Sequence, residues 1–121
     1  MRMLLLVIDD EPAVGRSIRR ALAREQGLEV EGITTAEEAL SLIIAGCRPD
    51  AILCDVHLSG MSGIGFYNEL LKLAPDLAPY LIFMSGDDAA LEGSDRHPIP
   101  FIGKPFDLTI LKSLVRAFTA E

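Results

Sequence analysis

The chain has 121 residues, half of them hydrophobic, which suits one compact domain. Its 18 acidic and 11 basic side chains give a formal net charge of −7, which argues against direct nucleic-acid binding, because phosphate contacts require a basic face. No signal peptide or transmembrane span is visible and the two cysteines suit a reducing compartment, so a cytoplasmic protein without membrane contact is expected.

Four short apolar runs, together with the segment 29–33, predict the strands of a parallel sheet. Most of them are almost uninterrupted hydrophobic sequence, as expected of strands that are buried on both faces. Helical patterns separate the runs, and this alternation is typical of βα units in a single α/β domain. The predicted strands cover residues 4–8, 29–33, 51–54, 81–84 and 101–103.

Capping signals place the first two helices. Pro12 suits the first turn of a helix, whose apolar face continues until Gly27 stops it. Thr35 and Glu38 form a capping box at the start of the second helix, which ends at Gly46. The predicted buried positions are Val14, Ile18, Ala21 and Leu22 in the first helix, and Ala36, Ala39, Leu40, Ile43 and Ile44 in the second. A cluster of arginines near the first helix is either a solvated face or a docking surface for an acidic partner.

The second half of the chain is less regular. The third helix is predicted from about residue 62 to 73, and the last helix begins after Asp107 as its N-cap. Between Ser85 and Lys104, glycines and prolines leave no space for a full helix, so the fourth helix is expected to be short or irregular, with residues 88–92 forming one or two turns. The last helix is expected to bury Ile110, Leu111, Leu114, Val115 and Phe118.

Polar side chains follow four of the predicted strands. Asp9 and Asp10 follow the first, Asp55 the third, Ser85 the fourth and Lys104 the fifth. In open α/β sheets the ligand site lies outside the carboxyl ends of the strands, so these groups should converge. Three carboxylates would favour a divalent cation, and a carboxylate can also attack phosphorus to form an aspartyl phosphate. A cation, an ammonium and a hydroxyl could then cover the three phosphoryl oxygens.

The order of these motifs resembles the receiver domains of two-component response regulators. The matching motifs are Asp9-Asp10, the segment Asp-Val-His-Leu-Ser-Gly-Met-Ser-Gly at residues 55–63, Ser85-Gly86 and Lys104-Pro105-Phe106. The resemblance, which covers the whole chain, implies a CheY-like, flavodoxin-like (βα)5 fold with five parallel strands in the order 2-1-3-4-5.

The resemblance also implies roles for the acidic residues. Asp55 would be the phosphoacceptor, receiving a phosphoryl group from a sensor histidine kinase or from a histidine phosphotransfer domain of a phosphorelay. Asp10 and Asp55 would bind Mg²⁺ (or Mn²⁺) directly, together with the backbone carbonyl of His57, and Asp9 would act mostly through water. The chemistry would be self-directed phosphotransfer and autodephosphorylation, so the protein would not be a metabolic enzyme.

By the same resemblance, Ser85 and Lys104 would contact the phosphoryl group. Phe101 stands at the position of the family's switch aromatic, which turns inward when Ser85 moves and so changes a partner-binding surface. Pro105 would follow a cis peptide bond that aims the lysine into the site. The short fourth helix predicts little or no phosphorylation-dependent dimerisation through that face.

Two departures concern the loop after the acceptor. Ser59 stands where the family most often has proline, which predicts a less rigid loop. His57 lies two residues after Asp55, and either its backbone alone matters or its side chain, together with Asp87, tunes the dephosphorylation rate.

The sequence disfavours two classes of enzyme. A phosphohydrolase is disfavoured because His57 stands where haloacid-dehalogenase-like phosphatases carry a second aspartate, and the chain has no room for a cap. A nucleotide enzyme is disfavoured because neither a Gly-Lys-Ser/Thr loop nor Gly-x-Gly-x-x-Gly follows the first strand. The remaining alternative is a receiver-like module that binds its partners without phosphorylation.

The receiver domain is expected to occupy residues 1–121, with no output domain after Glu121. Such a chain is either a free-standing regulator or a fragment of a larger protein such as a hybrid histidine kinase. Met1 favours the free-standing regulator. The segment before Phe106 resembles the receivers of hybrid histidine kinases, which favours the fragment.

Overall fold

The computed structural model describes residues 3–25, 27–85, 101–103 and 108–119. The strands are β1 (Met3–Ile8), β2 (Leu28–Ile33), β3 (Ala51–Asp55), β4 (Leu81–Ser85) and β5 (Phe101–Gly103). The helices are α1 (Pro12–Ala21), α2 (Ala36–Ile44), α3 (Gly63–Leu73) and α4 (Leu108–Thr119), and a short 3₁₀ helix (Ala78–Tyr80) precedes β4. The predicted fourth helix, including residues 88–92, lies outside the described residues, so α4 here is the last helix of the chain.

The strands form one parallel sheet in the order β2-β1-β3-β4-β5. Strand β1 lies between β2 and β3, and its last residue, Ile8, pairs with Ile33 on one side and Cys54 on the other. Asp55 at the end of β3 pairs with Met84, one residue before the end of β4. The carboxyl ends of the central strands therefore come level at one edge, and the predicted α/β fold with a parallel sheet is confirmed.

The alternation of side chains along β1 explains why this strand is apolar throughout. Leu6 and Ile8 belong to a core on one face of the sheet, whereas Leu5 and Val7 belong to a core on the other. Helices α2 and α3 cover the first core, and α1 and α4 contribute to the second. Both faces of the central strands are thus buried, as the continuous hydrophobic runs predicted, whereas the edge strand β2 leaves Glu29 and Glu31 exposed.

Hydroxyl caps begin two of the helices. The Thr35 hydroxyl accepts a hydrogen bond from the Glu38 amide at 3.1 Å, as predicted for the start of α2. The Ser62 hydroxyl accepts from the Gly65 amide at 3.0 Å, which places the start of α3 one residue after Ser62. Beyond α2, Gly46 has a φ of +113°, a conformation that favours glycine.

Two expectations for the helices were wrong. Helix α1 ends at Ala21 and does not continue to Gly27, because the Ala23 and Glu25 amides bond to carbonyls three residues back and turn the chain after the helix. Ile44, predicted to be buried, is 68% exposed, because it lies at the side of the buried stripe of α2, which ends with Ile43.

Helix α4 has the predicted position, and Leu111 is completely buried in it. The predicted N-cap Asp107 and the side chains of the other residues expected to be buried in this helix lie outside the described part. Among the helices that the structure describes, none combines the length and the apolar character needed to cross a membrane.

Candidate functional site

The ends of three neighbouring strands place the candidate site. Asp9 immediately follows β1, and its amide donates to the Ile33 carbonyl at 3.0 Å, which continues the pairing with β2. Asp55 is the last residue of β3 and Ser85 the last residue of β4. The sheet therefore brings these side chains to one edge, as the sequence predicted.

Three carboxylates meet at this edge. One carboxylate oxygen from each of Asp9, Asp10 and Asp55 lies within 4.8 Å of the other two. Asp9 is only 2% exposed and Asp55 only 7%, whereas Asp10 is exposed, so the cluster is open to solvent on one side. Like charges this close repel one another, and oxygen donors are the ligands that hard divalent cations prefer. The donor set therefore fits Mg²⁺ or Mn²⁺.

Backbone amides orient two of the three carboxylates. The Glu11 amide donates to Asp9 Oδ1 at 2.9 Å, and the His57 amide donates to Asp55 Oδ1 at 3.1 Å. Each donor lies two residues after its acceptor, so both bonds follow from the local turn after a strand. These bonds hold one oxygen of each carboxylate in place at the strand end. The His57 side chain is exposed.

Two side-chain contacts hold the loop between β3 and α3. The Ser59 hydroxyl donates to Asp10 Oδ2 at 3.1 Å, and the Met61 amide donates to Glu37 Oε2 at 3.1 Å. The sequence marked Ser59 only as a departure from proline, and nothing in it singled out Glu37, because both contacts join residues that are far apart in the chain.

The start of α3 packs against the end of β3. The Gly63 amide donates to the Val56 carbonyl at 2.9 Å, and a Cβ built on Gly63 would lie 2.3 Å from the Asp55 carbonyl oxygen. The absence of a side chain at Gly63 thus allows the helix to approach the end of β3.

The structure describes Ser85 fully and the neighbouring strand β5 in part. Ser85 is 1% exposed and pairs with Gly103 of β5, while Phe83 pairs with Phe101. Ser85 therefore lies next to the strand that carries Phe101, whose side chain lies outside the described part. The other predicted groups, Lys104, Asp87 and Pro105, also lie outside the described residues.

The thiol of Cys54, next to Asp55 in the chain, is unreactive. Cys54 is buried, and burial together with the negative charges of Asp55 and Asp9 raises the pKa of its thiol far above its ordinary range. The thiol donates to the Asp55 carbonyl at 3.4 Å. A protonated thiol is a poor nucleophile and a poor metal ligand, so the carboxylates carry the chemistry available at this edge.

Sequence comparisons with known proteins point to one protein family. The family profile described as "Response regulator receiver domain" matches residues 5–116. The response regulator MprA of Mycolicibacterium vanbaalenii is 35% identical over 119 residues, which are 97% of this chain and 50% of the relative. The chain thus spans about half the length of the curated relatives it matches.

Solved structures share the fold across the whole chain. A protein of Chloroflexus aurantiacus assigned as a response regulator superposes with a TM-score of 0.84 at 28% identity, and the match covers 100% of both chains. The signal receiver domain of a histidine kinase from Syntrophus aciditrophicus superposes with a TM-score of 0.81 at 25% identity, covering 98% of this chain and 90% of the other.

Proposed function

Because this chain belongs to the response regulator receiver domain family of two-component systems, we propose that Asp55 accepts a phosphoryl group from a phosphohistidine. The donor is a sensor histidine kinase or a histidine phosphotransfer domain. One carboxylate oxygen of Asp55 bonds to phosphorus while the bond from phosphorus to the histidine nitrogen breaks, and the electron pair of that bond returns to the imidazole. Hydrolysis of the aspartyl phosphate later releases inorganic phosphate.

The observation that carries this proposal is the acidic cluster at the strand ends. Asp55 lies at the carboxyl end of β3, with oxygens of Asp9 and Asp10 within 4.8 Å of one of its own. Asp10, Asp55 and the backbone carbonyl of His57 would hold Mg²⁺ (or Mn²⁺) directly, and Asp9 would act mostly through water. The cation would supply positive charge for the phosphoryl oxygens. Asp9 and Asp10 would keep it beside the acceptor.

Phosphorylation would be read out through Ser85 and Phe101. Ser85 is buried at the end of β4, beside the strand that carries Phe101, so a movement of the serine toward a phosphoryl group would alter the space next to that strand. Lys104, which follows β5 directly, would pair with the phosphoryl group. The resulting change of surface would select a downstream protein partner.

His57 and Asp87 would set the lifetime of the phosphoryl group. The His57 amide holds Asp55 Oδ1, and its exposed side chain can be changed without removing that bond. A His57→Asn variant should therefore fold normally and lose its phosphoryl group at a different rate. An unaltered phosphoryl lifetime would leave only a backbone role for His57.

On this proposal, residues 1–121 act as a signalling domain with self-directed chemistry and no other substrate. Cytoplasmic location and the absence of direct nucleic-acid binding stay predictions, the second argued from the net charge of −7. The alternative function is a receiver-like module that binds partners without being phosphorylated.

Intact mass measurement after incubation with a small-molecule phosphodonor and Mg²⁺ tests the proposal. The wild type should gain one phosphoryl group, and both Asp55→Asn and chelation of the metal should abolish the gain. Asp76→Asn is a matched control, because Asp76 is an exposed aspartate paired with Arg48, and it should behave as wild type. If neither a small donor nor a histidine phosphotransfer donor labels the protein, the phosphorylation-independent module is the better function.

A further inference from the structure

The three carboxylates of the cluster differ in what orients them. Asp9 and Asp55 each accept a hydrogen bond from a backbone amide two residues further along the chain. Asp10 accepts one from a side chain, the hydroxyl of Ser59, at 3.1 Å. Because Asp10 is the exposed member of the cluster, it has the most freedom to rotate toward water. The hydroxyl of Ser59 is therefore placed to orient the Asp10 carboxylate, as a local backbone amide orients each of the Asp9 and Asp55 carboxylates.

The loop that carries Ser59 is itself held in place. The Met61 amide, two residues further on, donates to Glu37 Oε2 at 3.1 Å. Between them, Gly60 has a φ of +77°, and a Cβ built there would lie 3.0 Å from the same carboxylate oxygen. A larger residue at this position would therefore press on Glu37. The hydrogen bond between Met61 and Glu37 thus supports the loop from which Ser59 reaches across to Asp10.

We propose that Ser59 is a positioning residue that orients the Asp10 carboxylate for the divalent cation. This inference rests on the proposed function, since it concerns the cation used there. A carboxylate has two oxygens with about four lone-pair positions, so Asp10 can accept the hydroxyl and bind a cation together. A neutral donor also offsets part of the repulsion among the three carboxylates without adding a competing charge. Ser59 therefore strengthens cation binding.

The affinity of the protein for Mn²⁺, measured from the electron paramagnetic resonance signal of the unbound ion, tests this role. Loss of a hydrogen bond to a metal-binding residue typically weakens affinity about 10- to 100-fold, and because Ser59 is exposed we expect about tenfold for Ser59→Ala. Ser59→Thr keeps the hydroxyl and should bind Mn²⁺ within about twofold of wild type. Ser41→Ala, at an exposed serine of α2, should leave the affinity unchanged.

A double-mutant cycle separates the contact from a general effect on the loop. If the hydroxyl acts through Asp10, Ser59→Ala should have little further effect on Mn²⁺ affinity in an Asp10→Asn background. Three results would each overturn the inference. They are wild-type Mn²⁺ affinity in Ser59→Ala, an equal loss of Mn²⁺ affinity in Ser59→Ala and Ser59→Thr, and no Mn²⁺ binding by the wild type. A wild type whose Mn²⁺ affinity depends on Ser59, but which takes no phosphoryl group from any donor, would support the inference while refuting the proposed function.

Discussion

Gly63 and Asp55 are in backbone contact, so closely that a Cβ built on the glycine would lie 2.3 Å from the aspartate carbonyl oxygen. The same Cβ would lie 2.9 Å from the Cα of Val56, and both neighbours are backbone atoms that cannot rotate away. The first turn of α3 thus packs directly on the strand end that carries Asp55. The glycine does not have a positive φ, so the restriction comes from space alone.

Gly63→Ala should lower the free energy of unfolding by about 2–3 kcal/mol, because the helix start or the strand end must move to admit the methyl group. Urea denaturation measures this change. Gly65→Ala is the matched control in the same helix, since its Cβ would meet the side-chain atoms Met61 Cγ at 3.2 Å and Ser62 Oγ at 3.3 Å. Those atoms can shift, and alanine favours the helix, so the control should stay within about 1 kcal/mol of wild type. Equal stabilities of the two variants would contradict the steric argument.

Divalent cations should stabilise the folded protein. At a Mg²⁺ concentration one hundred times the dissociation constant, the free energy of unfolding should rise by about 2.7 kcal/mol, provided that the unfolded chain does not bind the ion. The comparison is urea denaturation in Mg²⁺ and in a chelator at matched ionic strength.

Asp10→Asn should change the stability differently in these two buffers. In chelator the variant should be more stable than wild type by about 0.5–1 kcal/mol, because one of three mutually repelling charges is removed. In Mg²⁺ it should gain less stability than wild type does. A variant that is less stable than wild type in chelator would argue against strain from repulsion in the cluster.

Glu25 should make stability depend on acid pH. A hydrogen bond from Arg116, aided by the positive charges of Arg116 and Lys112 and opposed by desolvation, holds the pKa of the Glu25 carboxyl below its ordinary value of 4.5. A carboxyl with a lowered folded-state pKa stabilises the fold above its unfolded-state value, and this contribution disappears as the pH falls through the folded-state value.

The stability advantage of wild type over Glu25→Gln should therefore be constant near neutral pH and should shrink as the pH falls below about 4.5. Urea denaturation of both proteins across this range gives the difference directly, so that the titration of other carboxyls cancels. In an Arg116→Gln background, Glu25→Gln should change stability less, because the strongest partner is gone. A stability advantage of wild type over Glu25→Gln that grows as the pH falls would refute the lowered pKa of Glu25.

The two cysteines should differ in reactivity. Cys54 is fully buried with a raised thiol pKa, whereas Cys47 is partly exposed. A disulfide reagent such as dithionitrobenzoate should therefore modify one thiol per chain in the native protein and two after unfolding. Cys47→Ser should abolish the rapid native reaction. Rapid modification of both thiols without denaturant would show that the end of β3 opens readily.

Features that depend on local spacing could be predicted from the sequence. The Thr35 cap joins residues three positions apart, and the apolar runs reflect burial on both faces of the sheet. The meeting of Asp9, Asp10 and Asp55 followed from one topological rule, that parallel strands end at the same edge.

Features that depend on loop geometry could not be predicted. The Ser59 contact with Asp10 spans 49 residues, and nothing in the residue types determines how a loop of this kind approaches a distant strand end. The end of α1 was missed because bonds to carbonyls three residues back turn the chain before the glycine that usually ends a helix. The steric role of Gly63 likewise arises only once the helix and strand are packed.

The position of β1 has a consequence for the newly made chain. This strand is the first to be synthesised, yet it lies inside the sheet between β2 and β3. While a ribosome is still making the chain, Asp9 and Asp10 emerge long before Asp55, so the early product carries two of the three acidic groups without the third. On the proposed function, the nascent chain would bind the cation with full affinity only after β3 has left the exit tunnel, so metal binding would stabilise the completed sheet and not its first half.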